Sequence, residues 1–277
     1  MSVENTIAAA SPPRVALVGA GAMGGALFKG WLARGAIDLQ RSAVFDPQPS
    51  LAVAALANES GVPLNPYDPV EFDVLILAIK PQALEQAGVY SAIAARALVV
   101  SILAGKSAAA VSAALGGAAR VVRAMPNLPS MAGAGVAGLY APAGLSEFDR
   151  ALARVLMEAV GAAVFVESEA ALDAVTAISG SGPAYFFLMA EALEEAALDL
   201  GLPAGAAALL ARQTLAGAGA IVSADQRSSA ALRMSVTSPG GTTEAAIKVL
   251  DGDAHTLRTL MKAAARAAFR RAQELMS

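Results

Sequence analysis

Val15–Leu27 reads VALVGAGAMGGAL, and this stretch decides the fold of the first half of the chain. A short apolar run closes on Gly19, and Gly19, Gly21 and Gly24 follow with the spacing G-x-G-x-x-G before an apolar helical pattern. A strand, a glycine turn and a helix in this order are the context that a dinucleotide fingerprint requires. The stretch therefore predicts a dinucleotide-binding unit; a glycine turn that serves packing alone is the alternative interpretation.

The next apolar run, 42–45, ends at Asp46. In the predicted unit Gly19 permits the tight turn, Gly21 lets the backbone approach a pyrophosphate, and Gly24 brings the helix close to the strand. A carboxylate at the end of the second strand accepts hydrogen bonds from ribose hydroxyls and repels a 2′-phosphate. Asp46 therefore favours NADH, or dual use, over strict use of NADPH.

Apolar runs and helical patterns alternate up to about residue 167. The predicted strands are 14–19, 42–45, 73–79, 98–103, 120–125, 135–140 and 164–166, with a helix at 83–95 among the segments between them. Alternation of this kind predicts an α/β fold with a doubly wound, Rossmann-type parallel sheet. We expect a leader at 1–12, a dinucleotide-binding domain at 13–167 and an all-α domain at 168–277.

The second half carries helical patterns only, interrupted by the sequence SGSGP at 179–183. Its segments 184–193 and 204–222 are apolar nearly all round, and a helix of that kind must be buried on most faces. A helical domain of this length does not easily bury both segments by itself. We therefore predict an intertwined homodimer built from this half; alanine that mimics burial on an exposed face is the alternative.

Thr237–Glu244, TSPGGTTE, precedes a helical run in the same half. We expect Gly240 and Gly241 to leave backbone N–H groups open at a helix start, which suits a carboxylate or phosphate. Ser181 and Gly182 precede Pro183 in the same manner. Two such helix starts near a nicotinamide would form a pocket of amides and hydroxyls for a small anion, which fits hydride addition to a protonated C=N bond; ordinary helix capping is the alternative.

Composition narrows the function classes. The chain has 277 residues, a formal charge of −3, no cysteine and one histidine, His255, which we interpret as a surface residue. A net charge this close to zero gives no indication of the basic surface with which proteins bind nucleic acid. No secretory signal is evident, and the longest uncharged stretch, 124–146, is rich in proline and glycine. We expect a soluble cytoplasmic protein with no metal site and no nucleic-acid or membrane partner.

Further motifs bring the chain to a known family. They are VALVGAGAMGGAL, DVLILAIKPQ, VVSILAG, RVVRAMPNLP, DAVTAISGSGPAYFF, GLPAGAAALLARQTLAGAGA and LRMSVTSPGGTTEAAIKVL. From Val15 to Leu275 the chain resembles the pyrroline-5-carboxylate reductase family. The resemblance implies reduction of 1-pyrroline-5-carboxylate to L-proline with NADPH or NADH, in a homodimer or a larger ring of dimers.

The resemblance also implies roles for single residues. Together with the fingerprint and its acid, the predicted dinucleotide residues are Gly19, Ala20, Gly21, Ala22, Met23, Gly24, Asp46, Asn65, Ala78, Ile79, Lys80, Pro81, Leu103 and Ala104. The predicted substrate residues are Ser181, Gly182, Ser238, Gly240, Gly241, Thr242 and Thr243. Amides of the Ser238–Thr243 turn would hold the substrate carboxylate. Thr243, the predicted catalytic residue, would hydrogen-bond the ring nitrogen of a substrate that brings its own proton.

The chain departs from the family pattern at two points and leaves two other readings open. The first is Leu128, which replaces the usual threonine after MPN, and the second is Asp46, because family members commonly lack an acid at this position. Separately, Glu169 matches a substrate-side acid of the family only loosely. A β-hydroxyacid dehydrogenase or related imine reductase would pair similar domains, but the segment 183–220 lacks the lysine such enzymes use. A non-catalytic dinucleotide sensor would have no use for TSPGGTT.

Overall fold

Seven strands form one sheet. The computed structural model describes residues 11–66, 71–117 and 119–276, so residues 1–10 of the predicted leader lie outside the described part. The strands are β1 (Val15–Val18), β2 (Ala43–Phe45), β3 (Val74–Leu77), β4 (Leu98–Ser101), β5 (Arg120–Met125), β6 (Gly135–Tyr140) and β7 (Gly161–Phe165). Each strand coincides with or overlaps a predicted one, and the α/β fold class is confirmed.

The strand order is β2-β1-β3-β4-β5-β6-β7. The pairs among the first five strands are parallel, whereas β6 pairs antiparallel with β5 and parallel with β7. The prediction of a wholly parallel sheet is therefore wrong for β6 and β7. The connection from β5 to β6 holds only a 3₁₀ turn, Leu128–Ala132, and is too short for the crossover that parallel neighbours need.

Helices connect the strands and form the second half. They are α1 (Ala22–Arg34), α2 (Leu51–Ser60), α3 (Ser91–Ala94), α4 (Ala108–Ala114), α5 (Glu147–Glu158), α6 (Ala171–Val175), α7 (Gly182–Asp199), α8 (Ala204–Ala224), α9 (Ser229–Ser235), α10 (Thr242–Asp251) and α11 (Thr256–Met276). The predicted helix at 83–95 is instead a 3₁₀ helix, Pro81–Tyr90, followed by α3. Gly88, Val89 and Tyr90 are weak α-helix formers, which agrees with this difference.

Both faces of the sheet are buried along the central strand β3. Along β3, Val74 and Ile76 belong to one apolar cluster, and Leu75 and Leu77 belong to another. All four side chains are fully buried. Burial on both faces explains why DVLILAI is a continuous apolar run rather than an alternating one.

Helices α7 and α8 pack against each other but leave much apolar surface exposed. Phe186 and Leu209 are each 60% exposed, and Ala207 and Ala211 are the buried residues of α8. The expectation that these helices are buried on most faces is therefore not met within a single chain. In the described ranges α8 is also the one helix that is long and apolar enough to span a membrane, which by itself is weak support for a span because core helices pass the same test.

Two compact units make up the chain. The first comprises Met1–Gly180 with Phe269–Ser277, and the second comprises Ser181–Ala268. The end of α11 thus belongs with the sheet: a Cβ on Gly105 would lie 2.7 Å from the carbonyl oxygen of Leu275. The predicted division at 167/168 stays a prediction, and the contact-based division falls later in the chain.

Candidate active site

The carboxyl ends of β1, β3 and β4 form the candidate dinucleotide site of the first unit. Sheet order reverses between β1 and β3, since β2 lies beyond β1 and β4 lies beyond β3. Ligands of open α/β sheets bind at such a switch point. The predicted segments Gly19–Gly24, Ala78–Pro81 and Leu103–Ala104 follow these three strands, and the N–H of Ala78 donates to the carbonyl of Val18 at 2.8 Å.

The three fingerprint glycines have different surroundings. Gly19 has φ +90° and a Cβ there would lie 2.6 Å from the carbonyl oxygen of Ala78. A Cβ on Gly24 would lie 2.1 Å from the carbonyl oxygen of Gly19, whereas a Cβ on Gly21 would meet nothing within 4 Å. The fold itself therefore requires Gly19 and Gly24, and the space in front of Gly21 is open to a ligand.

The N-terminus of α1 presents unpaired donors at this place. Gly21 is the N-cap and makes no side-chain hydrogen bond. In the first hydrogen bond of the helix, the N–H of Gly25 donates to the carbonyl of Gly21 at 2.7 Å. The N–H groups of Ala22, Met23 and Gly24 consequently have no acceptor within the helix. Three such donors beside an open glycine fit a dinucleotide pyrophosphate.

Asp46 lies at the end of β2 and its carboxylate is already in use. Oδ2 accepts the N–H of Ala20 at 2.7 Å, and Oδ1 accepts the N–H of Gln48 at 2.8 Å. The amide of Ala20, predicted to serve the dinucleotide, is thus paired within the protein. Each carboxylate oxygen keeps a second lone pair for a ribose hydroxyl.

Asn65 supports Asp46 from the other side. Its Nδ2 donates to the Asp46 carbonyl at 2.8 Å, and its Oδ1 accepts the Asp46 N–H at 2.9 Å. Asn65 itself has φ +50°, a left-handed conformation that asparagine tolerates better than most residues. Its side chain therefore positions the acid, a use that the resemblance to the family does not imply.

The ends of β3 and β4 offer mainly backbone. Lys80 is exposed and precedes the 3₁₀ helix that begins at Pro81, whose first turn is closed by the N–H of Ala83 donating to the Lys80 carbonyl at 2.9 Å. Ala78 and Ile79 are half-buried, and Ala104 is exposed. Leu103 is 2% exposed and its side chain belongs to the core.

The Ser238–Thr243 turn, in the second unit, differs from expectation. The N–H of Gly240 donates to Glu244 Oε2 at 2.6 Å, and the N–H of Gly241 donates to the Ser238 carbonyl at 3.0 Å. The expectation that these two amides are bare is therefore wrong. The reason is local: an acid in the first turn of a helix reaches back to N–H groups near its start.

The open donors of this turn lie one step further on. Gly241 is the N-cap of α10 and makes no side-chain hydrogen bond. In the first hydrogen bond of the helix, the N–H of Ala245 donates to the carbonyl of Gly241 at 3.2 Å. The N–H groups of Thr242, Thr243 and Glu244 therefore lack an acceptor within the helix. The pKa of Glu244 lies below its usual range, mainly because the Gly240 N–H donates to its carboxylate and secondly because Lys248 lies beside it. This carboxyl is therefore ionised at neutral pH.

Ser181 and Gly182 lie where one helical element ends and the next begins, as predicted. A π-helical turn, Thr176–Gly180, continues from α6, and Ser181 has helical angles, φ −84° and ψ −24°, at the cap of α7. Ser181 makes no capping hydrogen bond, and Gly182 is buried. The interruption is shorter than predicted, a single residue, because the backbone widens into a π-turn up to Gly180, a feature often found at functional sites.

Asn127 is a residue whose role was not predicted. It is 7% exposed, its Nδ2 donates to the Ser179 carbonyl at 3.1 Å, and its Oδ1 accepts the N–H of Val136 at 2.9 Å. It thereby ties the π-turn to the start of β6. A buried asparagine after a strand was the available signal, since a buried amide needs partners on both its atoms.

Glu169 does not stand free as a substrate-side acid. Its Oε1 accepts the N–H of Ala108 at 2.6 Å and lies 3.2 Å from Arg123 Nη1. Arg123 is 4% exposed. A carboxylate at the start of α4, next to a buried guanidinium, is accounted for by helix capping and charge pairing.

Comparisons with protein families match both halves of the chain. Residues 14–105 match the family described as NADP oxidoreductase, coenzyme F420-dependent. Residues 169–275 match the family described as pyrroline-5-carboxylate reductase dimerisation.

Individual relatives match nearly the whole chain. Pyrroline-5-carboxylate reductase of Pseudomonas aeruginosa is 40% identical over 270 residues, which cover 96% of this chain and 97% of the relative. The corresponding protein of Haemophilus influenzae is 37% identical and covers 94% and 97%. A solved pyrroline-5-carboxylate reductase structure from Coxiella burnetii superposes with a TM-score of 0.88 at 38% identity, covering 96% of this chain and 99% of that one.

Proposed function

The chain belongs to the pyrroline-5-carboxylate reductase family, and we propose on that premise that it reduces the C=N bond of 1-pyrroline-5-carboxylate to give L-proline, the last step of proline synthesis. Its cofactor is a nicotinamide dinucleotide, which when bound supplies the hydride. The observation that carries the proposal is 40% identity across 96% of the chain to a reductase of that name.

In the first unit, we propose that the open N–H groups of α1 hold the pyrophosphate and that Asp46 accepts the adenosine ribose hydroxyls. The uncapped helix start and the open space before Gly21 support this assignment. Asp46 carries its charge where a 2′-phosphate would lie, and Asn65 fixes its backbone. NADH is therefore the preferred form, with NADPH accepted less well.

In the second unit, we propose that the N–H groups of Thr242 and Thr243 hold the substrate carboxylate and that the Thr243 hydroxyl orients the ring nitrogen. Gly240 and Gly241 shape this turn, but their own amides are paired within the protein. Ser238 closes the turn through its carbonyl, and Ser181 with Gly182 supplies a second wall of the substrate pocket.

The proton on the ring nitrogen arrives with the substrate, which binds as an iminium. Glu244, the acid nearest the turn in sequence, is ionised at neutral pH because the Gly240 N–H and Lys248 lower its pKa. It is therefore a poor proton donor. What the protein contributes is the fixed position of the imino acid.

We also propose that the chain forms a homodimer through α7 and α8. The match to the dimerisation family over 169–275 and the exposed apolar side chains of both helices support this assembly. Light scattering should then give the mass of two chains, and Leu209→Glu should give monomers, with Leu51→Glu on α2 as the control that leaves the mass unchanged. A wild-type monomer at working concentration would contradict the proposal.

We propose that the protein is cytoplasmic and that α8 lies in the dimer interface rather than in a bilayer. The family match covers all of α8, whose length and composition alone would allow a span. Fractionation of cells without detergent should recover the protein in the supernatant. Recovery only from the membrane pellet would contradict this part of the proposal.

The direct test of the activity is oxidation of NADH by the purified protein. We expect the protein to oxidise NADH when 1-pyrroline-5-carboxylate is added, with proline as the product. We expect no oxidation of NADH when a β-keto acid, the substrate of a β-hydroxyacid dehydrogenase in the reducing direction, is added instead. A protein that binds NADH but oxidises it with neither compound would be a sensor, and the proposed activity would be refuted.

A further inference from the structure

The carboxylate of Glu244 lies beside the N–H groups of Thr242 and Thr243, the proposed substrate donors, and bonds a different amide. We propose that Glu244 is a positioning residue: its carboxylate holds the Gly240 N–H, keeps the turn in shape, and so directs the substrate carboxylate to the amides of Thr242 and Thr243. This inference rests on the proposed function of the turn and adds to it a residue that sets substrate affinity.

The geometry of Gly240 makes the contact consequential. Gly240 has φ +70° inside the turn that the Gly241 N–H closes on the Ser238 carbonyl, and a Cβ there would meet nothing within 4 Å. The bond from its N–H to Glu244 Oε2, 2.6 Å long, joins the turn to the first turn of α10. A charge-assisted bond of this kind is stronger than a neutral one, and it adds a second tie to a turn that is otherwise closed only by the bond from the Gly241 N–H to the Ser238 carbonyl.

The same contact excludes one donor from the substrate. An N–H that already donates to a carboxylate is not available to a second anion, so Gly240 is withdrawn from the set of open amides. The remaining donors, on Thr242 and Thr243, belong to the helix and are held by it. The substrate carboxylate therefore meets a rigid pair of donors instead of a mobile glycine amide.

The charge of Glu244 would by itself oppose an incoming carboxylate. Lys248, one turn further along α10, places Nζ 3.2 Å from Glu244 Oε1 and balances that charge. Exposed charges of opposite sign at this distance reduce the field felt by a nearby anion. Glu244 thus acts chiefly through the bond it makes and only weakly through its negative charge.

Two variants separate the bond from the charge. Glu244→Ala removes the acceptor, and we expect the KM for 1-pyrroline-5-carboxylate to rise about fivefold, the effect of one lost hydrogen bond. Glu244→Gln keeps an oxygen that can accept the Gly240 N–H, and its KM should stay within about twofold of wild type. In both variants kcat should change by less than about twofold and the KM for NADH should not change.

Glu147→Ala is the matched control, since Glu147 is also an acid in a first helical turn, paired with Arg150 in the first unit. It should leave every constant unchanged. A wild-type KM in Glu244→Ala would overturn the inference, and so would equal impairment of Glu244→Ala and Glu244→Gln. A parallel fall of kcat and NADH affinity in a folded Glu244→Ala would also overturn it, by revealing a general structural role. A wild-type protein that does not turn over the imino acid would refute the proposed function instead.

Discussion

The turns at Gly19–Gly24 and Ser238–Thr243 each precede a helix that has no side-chain cap, and an acid holds one amide in each. In the turn at Gly19–Gly24 the acid is Asp46, which comes from another strand and reaches the N–H of Ala20. In the turn at Ser238–Thr243 the acid is Glu244, which comes from the helix that the turn precedes. The first turn is therefore fixed by contacts distant in sequence, and the second by contacts within one helical turn.

The steric surroundings of the glycines differ in the same direction. Atoms of the segments that directly follow β3 and β1 crowd Gly19 and Gly24, whereas Gly240 is open and Gly241 meets only atoms of Ser238. The first turn keeps its shape as long as the sheet is folded. The second depends on a few local hydrogen bonds, which makes its shape easier to alter by single substitutions.

The largest effect that separates the two turns is steric. Gly24→Ala places a Cβ 2.1 Å from the Gly19 carbonyl oxygen, and we expect the free energy of unfolding to fall by at least about 3 kcal/mol. Gly241→Ala meets the movable Ser238 side chain at 2.7 Å and should cost about 1 kcal/mol. Urea denaturation of both variants measures the difference.

Gly21→Ala sharpens the same test, because its Cβ meets no protein atom within 4 Å. Its stability should match wild type while its affinity for NADH, measured by fluorescence titration, falls at least about tenfold. Loss of stability in Gly21→Ala with unchanged NADH affinity would reverse the assignment of a ligand to that space.

The next effect concerns the second turn alone. Thr243→Ala removes the hydroxyl that we assign to the ring nitrogen, and kcat should fall about tenfold or more because the imino acid is no longer held in one orientation. Thr243→Ser should restore most of the turnover, and the KM for NADH should be unchanged in both. Thr259→Ala, on α11, serves as the control. Full turnover in Thr243→Ala would remove this residue from the mechanism.

A smaller effect concerns cofactor choice at the first turn. Asp46→Asn removes the negative charge near the proposed 2′-phosphate position but keeps one oxygen for the Ala20 or Gln48 amide. We expect the ratio of kcat/KM with NADPH to that with NADH to rise about fivefold. An unchanged ratio would mean that Asp46 serves only to hold the glycine turn.

The smallest effect is a pH dependence at the second turn. The folded-state pKa of Glu244 lies below its ordinary value of 4.5, chiefly because the Gly240 N–H donates to it. The stability that this carboxylate contributes is therefore fully present above pH 4.5 and is lost as pH falls through the lower, folded-state pKa. The Tm of wild type should exceed that of Glu244→Gln at pH 7, and the gap should close in acid; a gap that widens in acid would contradict the sign.

Sequence predicts the first turn better than the second for a physical reason. Gly19 and Gly24 are required by sterics, and the spacing of a motif encodes sterics directly. The partners of backbone amides are not encoded by spacing, so the expectation of bare amides at Gly240 and Gly241 was wrong. A carboxylate three residues after a helix cap was the signal for Glu244.

Sequence patterns also failed to predict two other features: the direction of β6 in the sheet and the conformation of the segment between α6 and α7. Apolar runs predicted the strands, but they do not predict strand direction. The antiparallel direction of β6 follows from the short connection between β5 and β6. The π-turn at Thr176–Gly180 ends in Ser179 and Gly180, the first two residues of the SGSGP sequence that ordinarily predicts a break. Asn127, which braces that turn, is recognisable only when its two partners are near in space.

The most direct test of the account is a crystal structure with NADH and proline bound. We predict the pyrophosphate on the N–H groups of Ala22, Met23 and Gly24, and the proline carboxylate on those of Thr242 and Thr243, with Glu244 still bonded to Gly240. A proline carboxylate bound away from Thr242 and Thr243, or a dinucleotide that leaves the start of α1 free, would contradict the account.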